Sequence, residues 1–224
     1  MADKTTPNVT ASATKQSSTT NTDSGLPRRT SSARNDSNKL IPRLKKLYNE
    51  QYVAELQKEL DIKNVNDVPK LTKIIVAAGV GRNREDKKHQ EIVTTTLAKI
   101  TGQMPVGRMA KKSIASFKIR KGMGAPLGKM VTLRGDMMYE FLDRLVNVAM
   151  PRIRDFHGVS NKAFDSQGNF NLGITEQSIF PELTFEDTIV LHGLQVTFVI
   201  KNNSKEESKA LLEKFGIPFA KGGK

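Results

Sequence analysis

The chain has 224 residues, of which 26% are charged and 37% hydrophobic, with a formal net charge of +13 at pH 7, a pI near 9.9 and no cysteine. Without cysteine there are no disulfides, thiolate nucleophiles or zinc–cysteine sites, and no run approaches the ~18 apolar residues of a membrane span. A basic excess of this size points to a polyanionic partner, either nucleic acid or an anionic membrane surface.

Residues 1–39 are rich in Ser and Thr, with only Met1, Val9 and Leu26 as larger apolar side chains. Such a stretch cannot bury enough surface to offset its ordering entropy, so it is expected to be a disordered tail. It lacks the apolar core of a signal peptide. Arg28, Arg29 and Arg34 are interspersed with acids, Asp3, Asp23 and Asp36, and show no amphipathic period, which argues against a transit peptide. Residues 40–224 are expected to form one domain.

Pro42 suits a first helical position, and Leu44, Leu47, Tyr48, Tyr52, Leu56 and Leu60 recur at spacings of three and four, predicting an amphipathic helix. The run Leu71 to Ala78 reads as a buried strand. Ile92, Val93, Leu97 and Ile100 predict a second helix ended by Gly102. A short strand around Gln103 to Met109, a basic loop and a strand from Lys129 to Arg134 follow. Asp136 is the expected N-cap of a third helix with Met138, Phe141, Leu142, Leu145 and Val148 inward, stopped before Pro151. Leu194, Val196, Phe198 and Ile200 alternate as a sheet strand does, and a final helix carries Leu211, Leu212 and Phe215 up to Gly216. Without a regular βαβ alternation, the class is α+β.

The charge is concentrated. Between Glu91 and Asp136 there is no acid, while Lys99, Arg108, Lys111, Lys112, Lys118, Arg120, Lys121, Lys129 and Arg134 fall in that interval. A mixed-sign run reads as a solvated face, but a single-sign block this long reads as a phosphate-binding surface. Phe117 is its one aromatic, so extensive base stacking is not expected.

Two glycine motifs fail as nucleotide sites. In "KGMGAPLGKMVTLRG", residues 121–135, Met123 stands where a P-loop needs its first glycine, and Met130 follows Lys129 where a metal-binding hydroxyl is required. In Gly79-Val80-Gly81-Arg82-Asn83-Arg84, Arg84 replaces the third glycine of a dinucleotide fingerprint. His89, His157 and His192 have no metal-ligand spacing, and Glu182, Glu186 and Asp187 read as solvated turn residues. Neither a catalytic nor a metal site is expected. An RNA-processing enzyme would need an acid–base pair near the basic loop, yet residues 92–135 hold neither carboxylate nor histidine. A membrane-surface protein would need a basic helix with a bulky apolar face, whereas this charge lies mainly on a loop.

"VPKLTKI", "GQMPVGRMAKKSIASFKIRKG", "VTLRG" and "MPRIRDFHGVSNKAFDSQGNFNLGITEQSIFPE" together resemble the bacterial form of the universal family five of large-subunit ribosomal proteins, the 5S ribosomal RNA binder, from about Leu40 to Phe219. The resemblance implies an antiparallel-rich sheet packed against helices on one face, an α+β sandwich whose other face grips 5S rRNA in the central protuberance. It assigns rRNA binding to Lys70, Lys73, Gln103, Thr132 and Arg134. It assigns the loop Met109 to Gly128 to the peptidyl-site tRNA, with Lys111, Lys112, Ser113, Phe117, Lys118, Arg120 and Lys121 facing it. Phe117 itself is expected to tuck onto the sheet rather than stack on a base.

The implied partners also include large-subunit rRNA, neighbouring 5S-associated ribosomal proteins and a small-subunit head protein across the intersubunit bridge. No membrane, cofactor, metal or enzymatic activity is implied, and the setting is the cytoplasmic ribosome. A generic RNA-binding or RNA-processing protein outside the ribosome is the alternative. Two departures stand out. Ala77-Ala78 replaces the usual Asn-Met, removing one RNA-facing amide, and the stretch Met123 to Gly128 is about two residues longer than usual.

Overall fold

The structure, a computed structural model, describes residues 41–220 except Arg84, Glu85, Met123, Ala125, Asn202 and Asn203. The expected tail, residues 1–39, the folded start at Leu40 and Met123 of the lengthened loop tip lie outside the described residues.

Pro42 caps the first helix rather than opening it. α1 (Arg43–Leu47) runs through a π-helical segment (Tyr48–Tyr52) into α2 (Val53–Glu59). Leu44, Tyr48 and Leu56 are buried, and the Tyr48 and Tyr52 rings both pack about Phe215, each at 6.0 Å. The Tyr48 hydroxyl donates to the Pro69 carbonyl at 3.0 Å, which ties the helix to the start of β1 (Lys70–Gly79).

In α3 (Lys87–Thr101), Asp86 accepts from the Lys88 amide at the N-cap, and Gly102, at φ +70°, turns the chain out of the helix. β2 (Val106–Arg108) and β3 (Gly128–Leu133) flank the basic loop.

α4 (Gly135–Arg144) begins two residues earlier than the sequence suggests. Arg134 occupies the N-cap position, and Asp136 lies in the first turn, where its carboxylate accepts from Lys45 Nζ at 2.7 Å near the positive end of the helix dipole. A π-helical turn (Leu145–Ala149) then shifts the helical register, so Leu145 and Ala149 face inward while Val148, expected inside, is exposed. Pro151 does not stop the helical path. It falls in a 3₁₀ turn (Met150–Arg152), after which the chain becomes extended at Ile153.

β4 (Phe170–Ile174) is an addition to the predicted elements, although Phe170, Leu172 and Ile174 alternate with Asn171 and Gly173. The short α5 (Phe185–Thr188) starts with a capping box between Thr184 and Asp187. β5 (Leu194–Lys201) and α6 (Lys205–Lys214) complete the order, with Gly216 at φ +88° ending the last helix. Asp187 and Glu182 are therefore not solvated turn residues. Asp187 is buried, and Glu182 pairs with Arg144.

The five strands form one antiparallel sheet in the order β2-β3-β1-β5-β4. One face supplies Ile74, Val76, Val131, Leu133, Val196, Phe198, Phe170 and Leu172 to the core, all buried. The helices pack against that face, giving the α+β architecture. Fully buried Phe141, Phe170 and Phe198 each contribute about 1.5–3 kcal/mol by burial alone.

Candidate nucleic-acid interface

Period-two alternation sends the intervening residues to the other face of the sheet. One cross-sheet row there reads Val106–Met130–Ala77–Gln195–Gly173, and the next reads Thr132–Ile75–Thr197–Asn171. These positions are half-buried or exposed, in contrast to their buried neighbours along each strand. None of the five strands contains an aspartate or a glutamate. The open face therefore presents hydroxyls, amides, small apolar groups and cations, a combination suited to sugar–phosphate surfaces.

Thr132 stands on this face, opposite Ile75. Continuing the Ile74–Leu133 pairing by one residue brings Arg134 beside Lys73, so these three sequence-selected residues share one end of the sheet. Gln103 lies on the approach to β2, outside any strand, and is exposed. Its position is set by Thr101, whose hydroxyl accepts from the Gln103 amide at 3.3 Å and donates to the Leu97 carbonyl at 2.7 Å. Lys70 is further along β1, opposite Lys201, at the edge of a groove of about 500 Å³ that Lys45 and Thr72 also line. It belongs to the same face but stands apart from the Thr132 group.

The basic loop leaves from the other end of β2 and β3. From Arg134 back to Gly128 is six residue steps, about 20 Å of strand, so loop and sheet cluster form two footprints. Backbone bonds run in both directions between Ile114 and Ile119, and Lys118 donates to Ala115 at 3.0 Å in a turn that places Lys118 at φ +51°. The Ser113 hydroxyl accepts from the Lys121 amide at 2.9 Å, so it serves the loop's own frame. Gly122 and Gly124, at φ +66° and +87°, make the return, and Pro126 lies against Gly107 of β2. Lys111, Lys112, Lys118, Arg120 and Lys121 are exposed, and within residues 111–122 only Ile119 is half-buried. Phe117 is also 66% exposed. It does not tuck onto the sheet: the turn that carries it is closed by the Ile114–Ile119 pairing within the loop itself, and the ring stands open to solvent.

Among the described residues, ion pairs engage Arg43, Lys45, Lys99, Arg144, Lys209 and Lys214, and none engages Lys70, Lys73, Arg108, Arg134 or the loop cations. Lys99 thus leaves the basic block: its Nζ bonds Asp187 and holds that carboxyl down at about 2. Lys129 also leaves the open face, since its register opposite Ala78 puts it on the other side.

Of the histidines, His89 and His192 are buried and His157 is exposed. Burial pushes the His192 imidazole below its ordinary value, and its Nε2 lies 2.9 Å from the Thr96 hydroxyl. No group of three or more His, Asp or Glu among the described residues is arranged to hold a metal ion. No helix among them is long and apolar enough to cross a membrane.

Sequence reasoning missed a polar network on the open face. Asn171 Oδ1 accepts from Thr197 Oγ1 at 2.7 Å and from Gln195 Nε2 at 3.3 Å. Alternation in β5 marks Gln195 and Thr197 as outward-facing, but Asn171 emerges only once β4 is known. Arg108, within the short strand expected from the sequence and one of the cations of the acid-free interval, ends β2 on the open face beside Gly128.

Residues 64–120 match the family model of ribosomal protein L5, and residues 126–219 match the model of that ribosomal family's C-terminus. The chain is 53% identical over 178 residues to the large ribosomal subunit protein uL5 of Synechococcus sp., covering 80% of this chain and 98% of that one. It is 51% identical over 179 residues to the uL5 proteins of Geotalea uraniireducens and Mesoplasma florum, covering 80% of this chain and 99% and 98% of theirs.

Proposed function

The chain belongs to the uL5 family of large ribosomal subunit proteins, and on that premise we propose that its open sheet face binds 5S ribosomal RNA within the large subunit. The observation that carries this reading is a sheet with helices on one face only and no acidic residue in any strand. Lys70, Lys73 and Arg134 supply affinity by releasing counterions from phosphates, which is blind to sequence. Gln103 and Thr132 both donate and accept hydrogen bonds, so they read 2′-hydroxyls and base edges, and selectivity for one folded RNA lies with them. The role is structural, in translation, with no reaction step.

The basic loop, at the end of β3 opposite Arg134 and about 20 Å along the strand from it, is the second footprint. Its Lys111, Lys112, Lys118, Arg120 and Lys121, with Phe117 at the turn, address the peptidyl-site tRNA. Ser113 supports the loop's shape and so acts indirectly. A third surface, where Phe185, Ile189 and Leu191 are exposed, suits a protein partner, since apolar side chains clustered in one short segment mark association sites. It is the surface offered to neighbouring ribosomal proteins or across the bridge to the small-subunit head.

The test is cross-linking within purified ribosomes from cells carrying a tagged copy. Cross-links from positions 103 and 132 to 5S rRNA, and from position 118 to tRNA, are the expected result. RNA cross-links from position 132 to tRNA alone would overturn the assignment, and absence of the tagged chain from ribosomes would favour an RNA-binding role elsewhere.

A further inference from the structure

One part of the open face carries almost no side chains. Gly79 pairs with Gly128, and continuing the Ala77–Gln195 pairing by two residues brings Gly193 beside Gly79. The ends of β1 and β3 and the residue that precedes β5 thus place glycine in one cross-sheet row, with Ala77 in the next. The result is a shallow trough of about 450 Å³, walled by Arg108 and Met130 on one side and Gln195 on the other.

The three glycines differ in what holds them. A Cβ on Gly128 would come within 3.1 Å of the Ala78 carbonyl oxygen, and one on Gly193 within 3.3 Å of the Ile174 carbonyl oxygen, so packing accounts for both. Gly79 has ordinary backbone geometry, and a Cβ there would meet nothing within 4 Å. Gly79 closes β1, the central strand of the sheet, without a side chain to pack there. The fold does not require it, and its one structural effect is to keep the trough open.

The walls of the trough are polar in a specific way. The Gln195 side chain is steadied by Asn171 Oδ1, which Thr197 also contacts, and its Oε1 has no partner among the described residues. Arg108 is exposed and forms no ion pair among them. A flat apolar floor, an oriented amide at one wall and a guanidinium at the other match one nucleotide taken out of its stack.

We propose that this trough accepts a single unstacked nucleotide of the RNA bound on the open face. Its base lies over Gly79, Gly128 and Ala77, Gln195 reads the base edge, and Arg108 meets the base plane or its phosphate. This rests on the reading of the open face as an RNA-binding surface, and adds to it where one base is singled out.

The experiment measures binding of 5S rRNA to the full chain and to three variants: Gly79→Val, Gln195→Ala and Thr132→Ala. The bound RNA is also probed with reagents that modify Watson–Crick edges. Valine suits a strand and fills the trough, so Gly79→Val should keep the melting temperature and lose about tenfold in affinity, with an unchanged salt slope. Gln195→Ala, at an exposed position, should lose several-fold and expose the edge of one nucleotide that is protected in the wild-type complex. If Gly79→Val fails to fold, that footprint decides alone. Wild-type affinity and footprint in both trough variants, with Thr132→Ala weakened, would overturn the trough and leave the open-face reading standing. No selectivity for 5S rRNA in the wild type would remove that reading, and the trough with it.

Discussion

Lys99 Nζ lies 2.6 Å from Asp187 Oδ2, joining α3 to α5 across 88 residues of sequence. The same carboxylate accepts from the Thr184 amide and hydroxyl, and together these bonds hold Asp187 at about 2. Four residues beyond α5, His192 is buried on α3 through Thr96. The segment between β4 and β5 is thus fastened to α3 by two titratable groups.

Their pH windows are separate. The folded value of His192 is depressed below 6.5 by burial, so the unfolded chain takes up its proton first. Its contribution is complete above about 6.5 and is lost as pH falls below that. Asp187 contributes fully above its ordinary value of 3.8 and loses its contribution as pH falls through about 2. Urea midpoints measured against pH should therefore fall in two steps. His192→Gln should flatten the first step and leave the second, and Asp187→Asn should do the reverse.

Two phenylalanines should behave oppositely. Phe198 is fully buried between Phe170 and the helices, and Phe198→Ala should cost about 3–5 kcal/mol in urea denaturation. Phe117 is on the solvent side of its turn, and Phe117→Ala should change stability by less than about 0.5 kcal/mol. A large loss for Phe117→Ala would mean that the ring packs on the sheet after all.

Much of this was legible in the sequence because burial and periodicity coincide. Leu194, Val196, Phe198 and Ile200 alternate in sequence and all are buried. Gly102 ends α3 as its position suggests. Other features depend on groups brought together from distant parts of the chain. Asp136 resembles an N-cap, yet Lys45, 91 residues away, is what its carboxylate meets. The π-helical turn that exposes Val148 leaves no mark in a 3.6-residue period. The residue classes of the interface were readable, whereas the division into sheet cluster and loop required the β2–β3 register.

Affinity and selectivity should separate on the sheet. Replacing Gln103 and Thr132 with alanine should weaken 5S rRNA binding while leaving its salt dependence almost unchanged. Lys73→Ala or Arg134→Ala should lower the slope of log affinity against log salt by about 0.7–0.9 for each phosphate no longer neutralised. Equal slope changes in both sets would show that Gln103 and Thr132 take no part in reading.

The loop should separate from the sheet. Neutralising Lys111, Lys112 and Lys118 together should leave 5S rRNA affinity within about twofold, because these exposed side chains belong to the loop at the end of β3 opposite Thr132 and Arg134. The same variant in assembled ribosomes should release peptidyl-site tRNA several-fold faster. Filter binding and tRNA dissociation on one preparation give both values. Lost 5S affinity with unchanged tRNA release would reverse the roles of loop and sheet.

The central claim is that the acid-free open face selects one folded RNA rather than polyanions in general. The most direct measurement is competition at physiological salt between 5S rRNA and an unrelated folded RNA of equal length, using the full chain. The two RNAs carry the same number of phosphates, so counterion release is matched and any preference comes from shape and hydrogen bonding. The account predicts that 5S rRNA displaces the other RNA at far lower concentration, and that Thr132→Ala together with Gln103→Ala reduces this preference. Equal competition by the two RNAs would contradict it.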